Sequence, residues 1–593
     1  MPLLSQYSAA VTAAALDVVS ALAEYGADAL AGNGDQILQS VIAVVDKTPS
    51  APPASALQAL AAVCPSVSEA NVQTMISDLL KQLSTATVYD GQSSEALGDL
   101  FRAIGRAFPG LTKVCLEEIS DSWQQIYAGY AQKRKEANND VIQVQFPSNS
   151  LKSAANSINA LYEGYYEAQG TPWTSEYLSK MVRTAPRSTA EIALTCLGLR
   201  ALGYSAQKDA LAQDPELTAQ LFAQVGSRHD DVRSEAANAL GSYVGSHPSM
   251  FPALFSSSTD DSEGTDASRL SKLEAVKVAT DRIVGASRDE ASTGLMWEQI
   301  TGYVQSNRGP LPDSLAQSLA TIFAVFPETY ASLLADHIAS PDNSAEVRAF
   351  YITTFRTVLA DKQLSPECDE QIKRVLTRAL AGIDDPNAEI RRLSLLALQT
   401  VIQDKAALVE NTLATIAPAL YRQTVVDESL VRTIRMGPFT RRVDDGLDAR
   451  WAAYQCVLAL VRELPGAVDG SAVVDSVVRG IADEQGIRLV VLQIINESLP
   501  VLLADYMAKL DALAESIEKA QGTLLPKKAV KQEIDKHNAI MRSTVALMIA
   551  LEPVADAVSP KSAAFSKLQE KAVDPGSDKT LAMYYHELVS SDF

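Results

Sequence analysis

Cysteine is scarce and scattered in this 593-residue chain: Cys64, Cys115, Cys196, Cys368 and Cys456 never approach a CxxC spacing. An odd, dispersed set of thiols argues against a disulfide scaffold and suits a reducing compartment. Each thiol falls in or beside an apolar helical stretch, where cysteine serves as a small buried residue. Histidine is as sparse. His229, His247, His337, His537 and His586 lie far apart, with no zinc-ligand spacing and no HExxH, so no metal site is expected. A GxxxxGK[ST] phosphate loop is missing, and Gly32-Asn33-Gly34 reads as a turn because no strand precedes it and a third glycine is lacking. Gly241-Ser242-Tyr243-Val244-Gly245 is no nucleophile elbow, since Ser242 is not central and no strand leads into it. The paired acids Asp384-Asp385 and Asp444-Asp445 precede helix patterns and read as helix caps, not general acids. No catalytic residue, cofactor site or metal site emerges, and the expectation is a non-enzymatic binding scaffold.

Positive charge is also in short supply. The formal net charge is −21 and the isoelectric point about 4.8. Phosphate binding needs a basic face, so nucleic acid is not expected as a main ligand. The acidity fits either electrostatic steering of a basic protein partner or solubility alone. Lys133-Arg134-Lys135 is the densest basic run; it reads as a solvated helix end or, more weakly, as an import signal. The N-terminus lacks a basic region followed by an apolar block, so no signal peptide is expected. The most apolar late stretch, Ile487–Tyr506, is interrupted by Arg488, Asn496, Glu497 and Asp505, and no segment is expected to span a membrane.

What is present is apolar helix. Apolar residues make up 47% of the chain and aromatics 6%, with Ala and Leu suited to helix-on-helix packing. Prolines such as Pro215, Pro248, Pro327 and Pro386 punctuate helix ends. One motif recurs at helix starts, an acidic or polar turn, then an aliphatic residue, then arginine: Asp231-Val232-Arg233, Glu346-Val347-Arg348, Glu389-Ile390-Arg391, Asp448-Ala449-Arg450 and Gly486-Ile487-Arg488. The gaps between these arginines are 115, 43, 59 and 38 residues, the first close to three units of the last. A period near 40 with two helices per unit is the signature of a HEAT-type α-solenoid, an all-α superhelix. The expected organisation is degenerate repeats over residues 1–150 and central repeats over 151–426. An inserted β-hairpin follows over 427–449, then C-terminal repeats and a tail over 450–593. Within the central part, residues 256–268 form an acidic, Ser-rich stretch, either a solvated linker or a phosphate acceptor. Gln145–Ser150 reads as a loop.

The hairpin explains the one enlarged gap. Two β-prone runs, Leu430–Met436 and Phe439–Val443, flank Gly437-Pro438, a plausible two-residue turn. A lone hairpin is marginal in water, so this one is expected to find a partner surface. Insertions in solenoids emerge on a functional face. The candidate partner-binding residues are Val431, Arg432, Ile434, Arg435, Met436, Gly437, Pro438, Phe439, Arg441, Arg442 and Val443.

The same region carries a family resemblance. Met436-Gly437-Pro438-Phe439, Val443-Asp444-Asp445-Gly446-Leu447-Asp448, Arg450, Ala452-Ala453 and Cys456 resemble the C-terminal region of the cullin-associated and neddylation-dissociated (Cand) proteins. Val530-Lys531-Gln532-Glu533 followed by Met541-Arg542 is a second match. Asp231-Val232-Arg233 through Ala236-Ala237 and Ala239-Leu240-Gly241-Ser242 is a third. The resemblance runs from about residue 187 to 551 and covers about the C-terminal half of the family pattern. It implies a HEAT clamp, working in cytoplasm and nucleus, on a cullin that holds its RING subunit. The family's N-terminal half covers the neddylation site, and its C-terminal half sits on the cullin N-terminal domain. There the hairpin occupies part of the adaptor site, so that substrate-receptor modules are exchanged. The half length implies either a split version working with a separate N-terminal polypeptide, or a truncation. The alternative is a karyopherin-like carrier or phosphatase-type HEAT scaffold for other protein partners.

Overall fold

The structure is a computed structural model. It describes all residues except 1–8, 26–31, 46–52, 86–90, 138–143, 171–177, 179, 183–184, 208–213, 256–265, 307–308, 362–367, 437–438, 523–530, 574–578 and 591–593. The chain divides into two units, Met1–Tyr303 and Val304–Phe593.

The first unit contains helices α1 (Ala9–Tyr25), α2 (Gly34–Val45), α3 (Ala54–Val63), α4 (Glu69–Thr85), α5 (Gly91–Ala107) and α6 (Thr112–Glu136). It continues with α7 (Ser148–Gln169), α8 (Thr189–Gln207), α9 (Pro215–Val225), α10 (Asp230–Ser246), α11 (Asp266–Ala286) and most of α12 (Glu290–Ser306). The second unit contains α13 (Asp313–Val325), α14 (Pro327–Ala339), α15 (Ala345–Leu359), α16 (Asp369–Leu380), α17 (Ala388–Lys405), α18 (Ala407–Glu410) and α19 (Leu413–Arg422). Strands β1 (Val431–Met436) and β2 (Phe439–Asp444) follow. The unit ends with α20 (Leu447–Glu463), α21 (Gly470–Ile481), α22 (Gln485–Ala508), α23 (Leu510–Gln521), α24 (Lys531–Ala557), α25 (Ala563–Val573) and α26 (Lys579–Ser590).

Helices two apart in the repeat pattern lie side by side, so each unit is a two-layer stack. In the second unit α13, α15, α17, α20, α22, α24 and α26 form one layer in that order, while α21, α23 and α25 pack in the other. In the first, α3, α5, α7, α8, α10 and α11 do the same, with α4 against α6. This is the HEAT-type solenoid architecture. The core runs between the layers. Leu395, Val457, Ile487 and Ile494 are fully buried on three successive helices, each contributing about 1.5–3 kcal/mol by leaving water.

The helix starts follow local chemistry. Asp214, Ser344, Asn387 and Asp469 cap α9, α15, α17 and α21 by accepting backbone amide hydrogens, which satisfies donors that a helix leaves unpaired. Pro215 and Pro327 occupy the first turns of α9 and α14, where the missing N–H costs nothing. Gly32 has φ +83° before α2, the turn expected there.

Several expectations are corrected. Helix α7 begins at Ser148, inside the stretch read as a loop, and α11 begins at Asp266, inside the Ser-rich stretch. Residues 256–265 of that stretch lie outside the described residues. Lys133 and Lys135 are exposed in the last turn of α6, as a solvated helix end should be, but Arg134 between them is 21% exposed and pairs with Asp230 and Asp231 at 3.5 Å. Helix α22 is long and apolar enough to cross a membrane by length and composition alone, against the expectation that its polar residues disqualify it. It packs against α20, α21 and α24 with Ile487, Val490, Val491, Ile494 and Ile495 buried, as the core helix of a stack does. Pro500 lies within it, and the backbone is non-helical at Leu502, as expected where a proline removes one helical hydrogen bond.

Candidate partner-binding hairpin

Among the described residues, β1 and β2 are the only strands. They pair antiparallel, with Arg432 opposite Val443, Thr433 opposite Arg442, Ile434 opposite Arg441 and Met436 opposite Phe439. That register leaves two residues between the strands, Gly437 and Pro438, which lie outside the described residues. Opposed residues share a face of the ribbon. Arg432, Ile434 and Val443 therefore lie on one face, and Val431, Thr433, Arg435, Arg442 and Asp444 on the other. Ile434 is 38% exposed; Arg432, Arg435 and Arg442 are exposed, and Val431 and Val443 half-buried. The side chains of Met436, Phe439 and Arg441 lie outside the described residues.

The hairpin packs chiefly on itself, and polar contacts fasten it at its feet. Arg432 pairs with Asp445 at 2.7 Å and Arg442 with Glu428 at 2.9 Å. Both pairs are exposed and contribute modestly, each about 0.2–1 kcal/mol. At the first foot, Asp427 accepts from the amide of Ser429 at 3.1 Å and from its hydroxyl at 2.6 Å. These contacts, joined by Arg391, hold the Asp427 carboxyl below its ordinary pKa. At the second foot the Asp445 amide donates to the Leu430 carbonyl at 3.1 Å, and the Gly446 amide donates to Asp444 Oδ1 at 2.9 Å. A β-carbon at Gly446 would stand 3.1 Å from Leu430 Cδ1 and 3.3 Å from Asp444 Oδ1, so the close closure favours glycine there.

Three of the five recurring arginines have a shared role that the sequence motif alone did not disclose. Arg348 Nη1 donates to Asp385 at 2.6 Å, Arg391 Nη2 to Asp427 at 3.4 Å, and Arg450 Nε and Nη2 to Asp483 at 2.6 and 2.9 Å. Each arginine thus holds an aspartate just ahead of the next repeat's helix or hairpin. In the first unit Arg200 pairs over a similar separation with Glu235, inside α10, at 2.5 and 2.6 Å. Several of these arginines also fold back on the loop before their own helix. Arg391 donates to the carbonyl of Asp385 at 3.0 Å and Arg233 to that of Ser227 at 2.7 Å, while Arg488 donates to that of Asp483. The pairs are separated by 37, 36, 33 and 35 residues. An acidic residue about one repeat beyond each arginine is the signal that would have found them.

Arg450 is singular among these arginines. It is 3% exposed and also donates to Asp444 Oδ2 at 2.8 Å, so it bridges the hairpin foot and the next repeat. Burial disfavours its charge, but the hydrogen bonds and charges of Asp483 and Asp444 outweigh that and raise its pKa. Arg488, with less compensation, has its pKa lowered by burial. The acids read as caps are therefore chiefly ion-pair partners: Asp444 holds Arg450, Asp385 holds Arg348, and Asp384 pairs with Arg422 at 2.6 Å. Trp451, 41% exposed, and Leu489, 50% exposed, directly follow Arg450 and Arg488. They leave apolar surface on the two helices behind the hairpin foot, which the sequence reading missed.

Four cysteines are buried and Cys368 is half-buried. Burial pushes the Cys64 and Cys115 thiols up to about 12. Among the described residues no group of three or more His, Cys, Asp or Glu side chains is placed to hold a metal.

A family model described as TATA-binding protein interacting (TIP20) matches residues 408–572, a span that contains the hairpin and its foot. The chain is 25% identical over 413 residues to the Cullin-associated NEDD8-dissociated protein 1 of Drosophila melanogaster, covering 69% of this chain and 32% of that protein. It is 25% identical over 389 residues to the protein 2 of that name from Mus musculus, covering 65% and 30%. A Cullin-associated NEDD8-dissociated protein 1, C-terminal part, from Emericella nidulans is 27% identical over 347 residues, covering 58% and 32%. The matches thus span about a third of the length of these relatives. Among solved structures, the karyopherin Kap121p bound to the extreme C-terminus of the protein phosphatase Cdc14p is 12% identical, covering 99% of this chain and 65% of that one, with a TM-score of 0.36. That is too distant to carry an argument about function. The hairpin motif, the matching span around it and these relatives agree in what this chain is similar to: the C-terminal part of the cullin-associated NEDD8-dissociated proteins.

Proposed function

We propose that this chain is a non-catalytic regulator of cullin–RING ubiquitin ligases. It binds an unneddylated cullin with its RING subunit, and its hairpin blocks or displaces the adaptor of the substrate-receptor module. A separate N-terminal polypeptide of the same family supplies the rest of the clamp, and the complex works in cytoplasm and nucleus. The observation that carries this reading is an exposed ribbon of apolar and arginine residues, fastened to the stack within the stretch that matches the family. Buried aromatic and arginine side chains dominate interface energies, and a ribbon held by its feet presents such residues without spending core. The net charge of −21 adds long-range attraction for a basic partner surface.

The test is adaptor release from a preformed cullin–adaptor complex, measured beside direct cullin binding. Replacing Val431–Val443 with a short Gly/Ser linker, or Phe439→Ala, is expected to reduce release more than it reduces cullin binding. Unchanged release by the linker variant would remove the hairpin from the mechanism. Addition of the N-terminal half is expected to raise cullin affinity, and no gain would reject the two-chain clamp.

A further inference from the structure

The two feet of the hairpin are not held alike. The β1 foot reaches the stack through Asp427, whose carboxylate meets Arg391 at 3.4 Å and is 45% exposed. The β2 foot reaches it through Asp444, whose carboxylate is 17% exposed and meets Arg450 at 2.8 Å. Arg450 itself is pinned from the far side by two hydrogen bonds to Asp483, which is 7% exposed. One guanidinium therefore joins the end of β2, the first turn of α20 and the loop before α22. An arginine has enough donors in a fixed fork to serve two carboxylates at once, and the planar fork fixes direction as well as distance. A long, exposed contact such as the one at Asp427 is screened and gives little orientation.

We propose that Arg450 sets the direction of the hairpin, acting through the carboxylate of Asp444, so that the ribbon's aim follows the stacking of α20 on α22 and not that of α17. Arg450 is in this sense a positioning residue: the groups that meet a partner are on the ribbon, and Arg450 decides where they point. The inference rests on the proposed function only for what the ribbon meets. Its structural content stands on the asymmetry of the feet. It also gives the 444–450 segment a reason for its composition. Asp444 and Arg450 must face each other across a closure that Gly446 keeps tight.

Amide hydrogen exchange on the full chain separates this from a purely structural role. Asp444→Asn keeps the side-chain shape and leaves the Arg450–Asp483 bridge in place. It is expected to speed exchange of the strand amides in residues 431–444 by about tenfold, with exchange in α20 and α22 unchanged. Asp427→Asn is expected to change strand exchange by less. A distance distribution between spin labels at Thr433→Cys and Gln493→Cys, in a Cys368→Ser background, should broaden in Asp444→Asn and stay narrow in Asp427→Asn. Wild-type exchange in Asp444→Asn, an equal or larger effect of Asp427→Asn, or opening of α20 and α22 alongside the strands would each overturn the assignment. Adaptor release gives the second arm. If the strands loosen and release falls as it does for the linker variant, both readings stand. If the strands loosen while release is unchanged, the positioning role holds and the proposed function fails.

Discussion

Two repeats of the second unit, that of α15 and that of α20 at the hairpin, use the same residue in two ways. In the first, Arg348 on α15 reaches one carboxylate, Asp385, and its side chain remains 25% exposed. In the second, Arg450 on α20 reaches two carboxylates and is 3% exposed. The plain repeat needs the arginine only to hold the next turn of the stack. The hairpin repeat uses it also to hold an insertion with no core of its own. A β-ribbon can thus be added to a helical stack where the repeat already places a cation, because the closing foot finds its counter-charge there. The consequence is coupling: the contact that stacks α20 on α22 also fixes the ribbon.

The largest expected effect breaks that shared contact. Arg450→Ala leaves Asp483 and Asp444 without their counter-charge in a buried place, and should lower the stability of the full chain in denaturant unfolding by about 3–5 kcal/mol. Arg348→Ala should cost less, about 1–3 kcal/mol, because Arg348 is 25% exposed and only one carboxylate, Asp385, loses its partner. Equal losses would erase the distinction between the two repeats. Next, Leu395→Ala in the fully buried core of α17 should cost about 2–5 kcal/mol, while Ile434→Ala on the ribbon should stay within about 0.5 kcal/mol. A large loss for Ile434→Ala would mean that the ribbon is packed into the stack. Arg432→Ala removes an exposed pair and should change stability by less than about 1 kcal/mol, with any effect disappearing in high salt.

The smallest effect is a pH dependence at the loose foot. Asp427 is held below its ordinary value of 3.8, first by the Ser429 hydroxyl; burial opposes this, and the Ser429 amide and Arg391 add to the lowering. A carboxyl lowered in the folded state contributes stability that is present above its unfolded pKa and lost as pH falls through its lower folded value. Strand amides near residue 431 should therefore exchange faster on acidification below about pH 4, and Asp427→Asn should flatten that response. A profile unchanged by the substitution would assign the acid sensitivity elsewhere.

Much of this molecule is legible in its amino-acid order. The helix-start motif places α10, α15, α17, α20 and α22 correctly because arginine one turn inside a helix, after an acidic or polar turn, recurs with the repeat. The hairpin is legible because β-prone runs around Gly437-Pro438 cannot continue a helix, and its observed strands differ from the sequence reading by one residue at each outer end. The starts of α7 and α11 are not, because polar and Ser-rich stretches serve equally as loops and as first turns. Helix α22 is placed correctly by its motif, but its composition is misread: four polar residues weigh less than its apolar remainder, so length and composition alone would let it span a membrane. Packing is what makes it a core helix.

The sequence by itself determined the helical repeat, its period and the place where a ribbon interrupts it, since these follow from spacing and from local backbone preference. Only the tertiary structure decided which acid each arginine meets. Asp427, Asp444 and Asp483 are alike in composition and lie among other acids. They become distinct because stacking brings residues 33 and 36 positions apart within hydrogen-bond reach, while burial removes the water that would otherwise serve Arg450. Which foot of the ribbon is firm and which is loose is a property of that stacking, because the strength of an ion pair depends on its distance and on how much solvent it has lost.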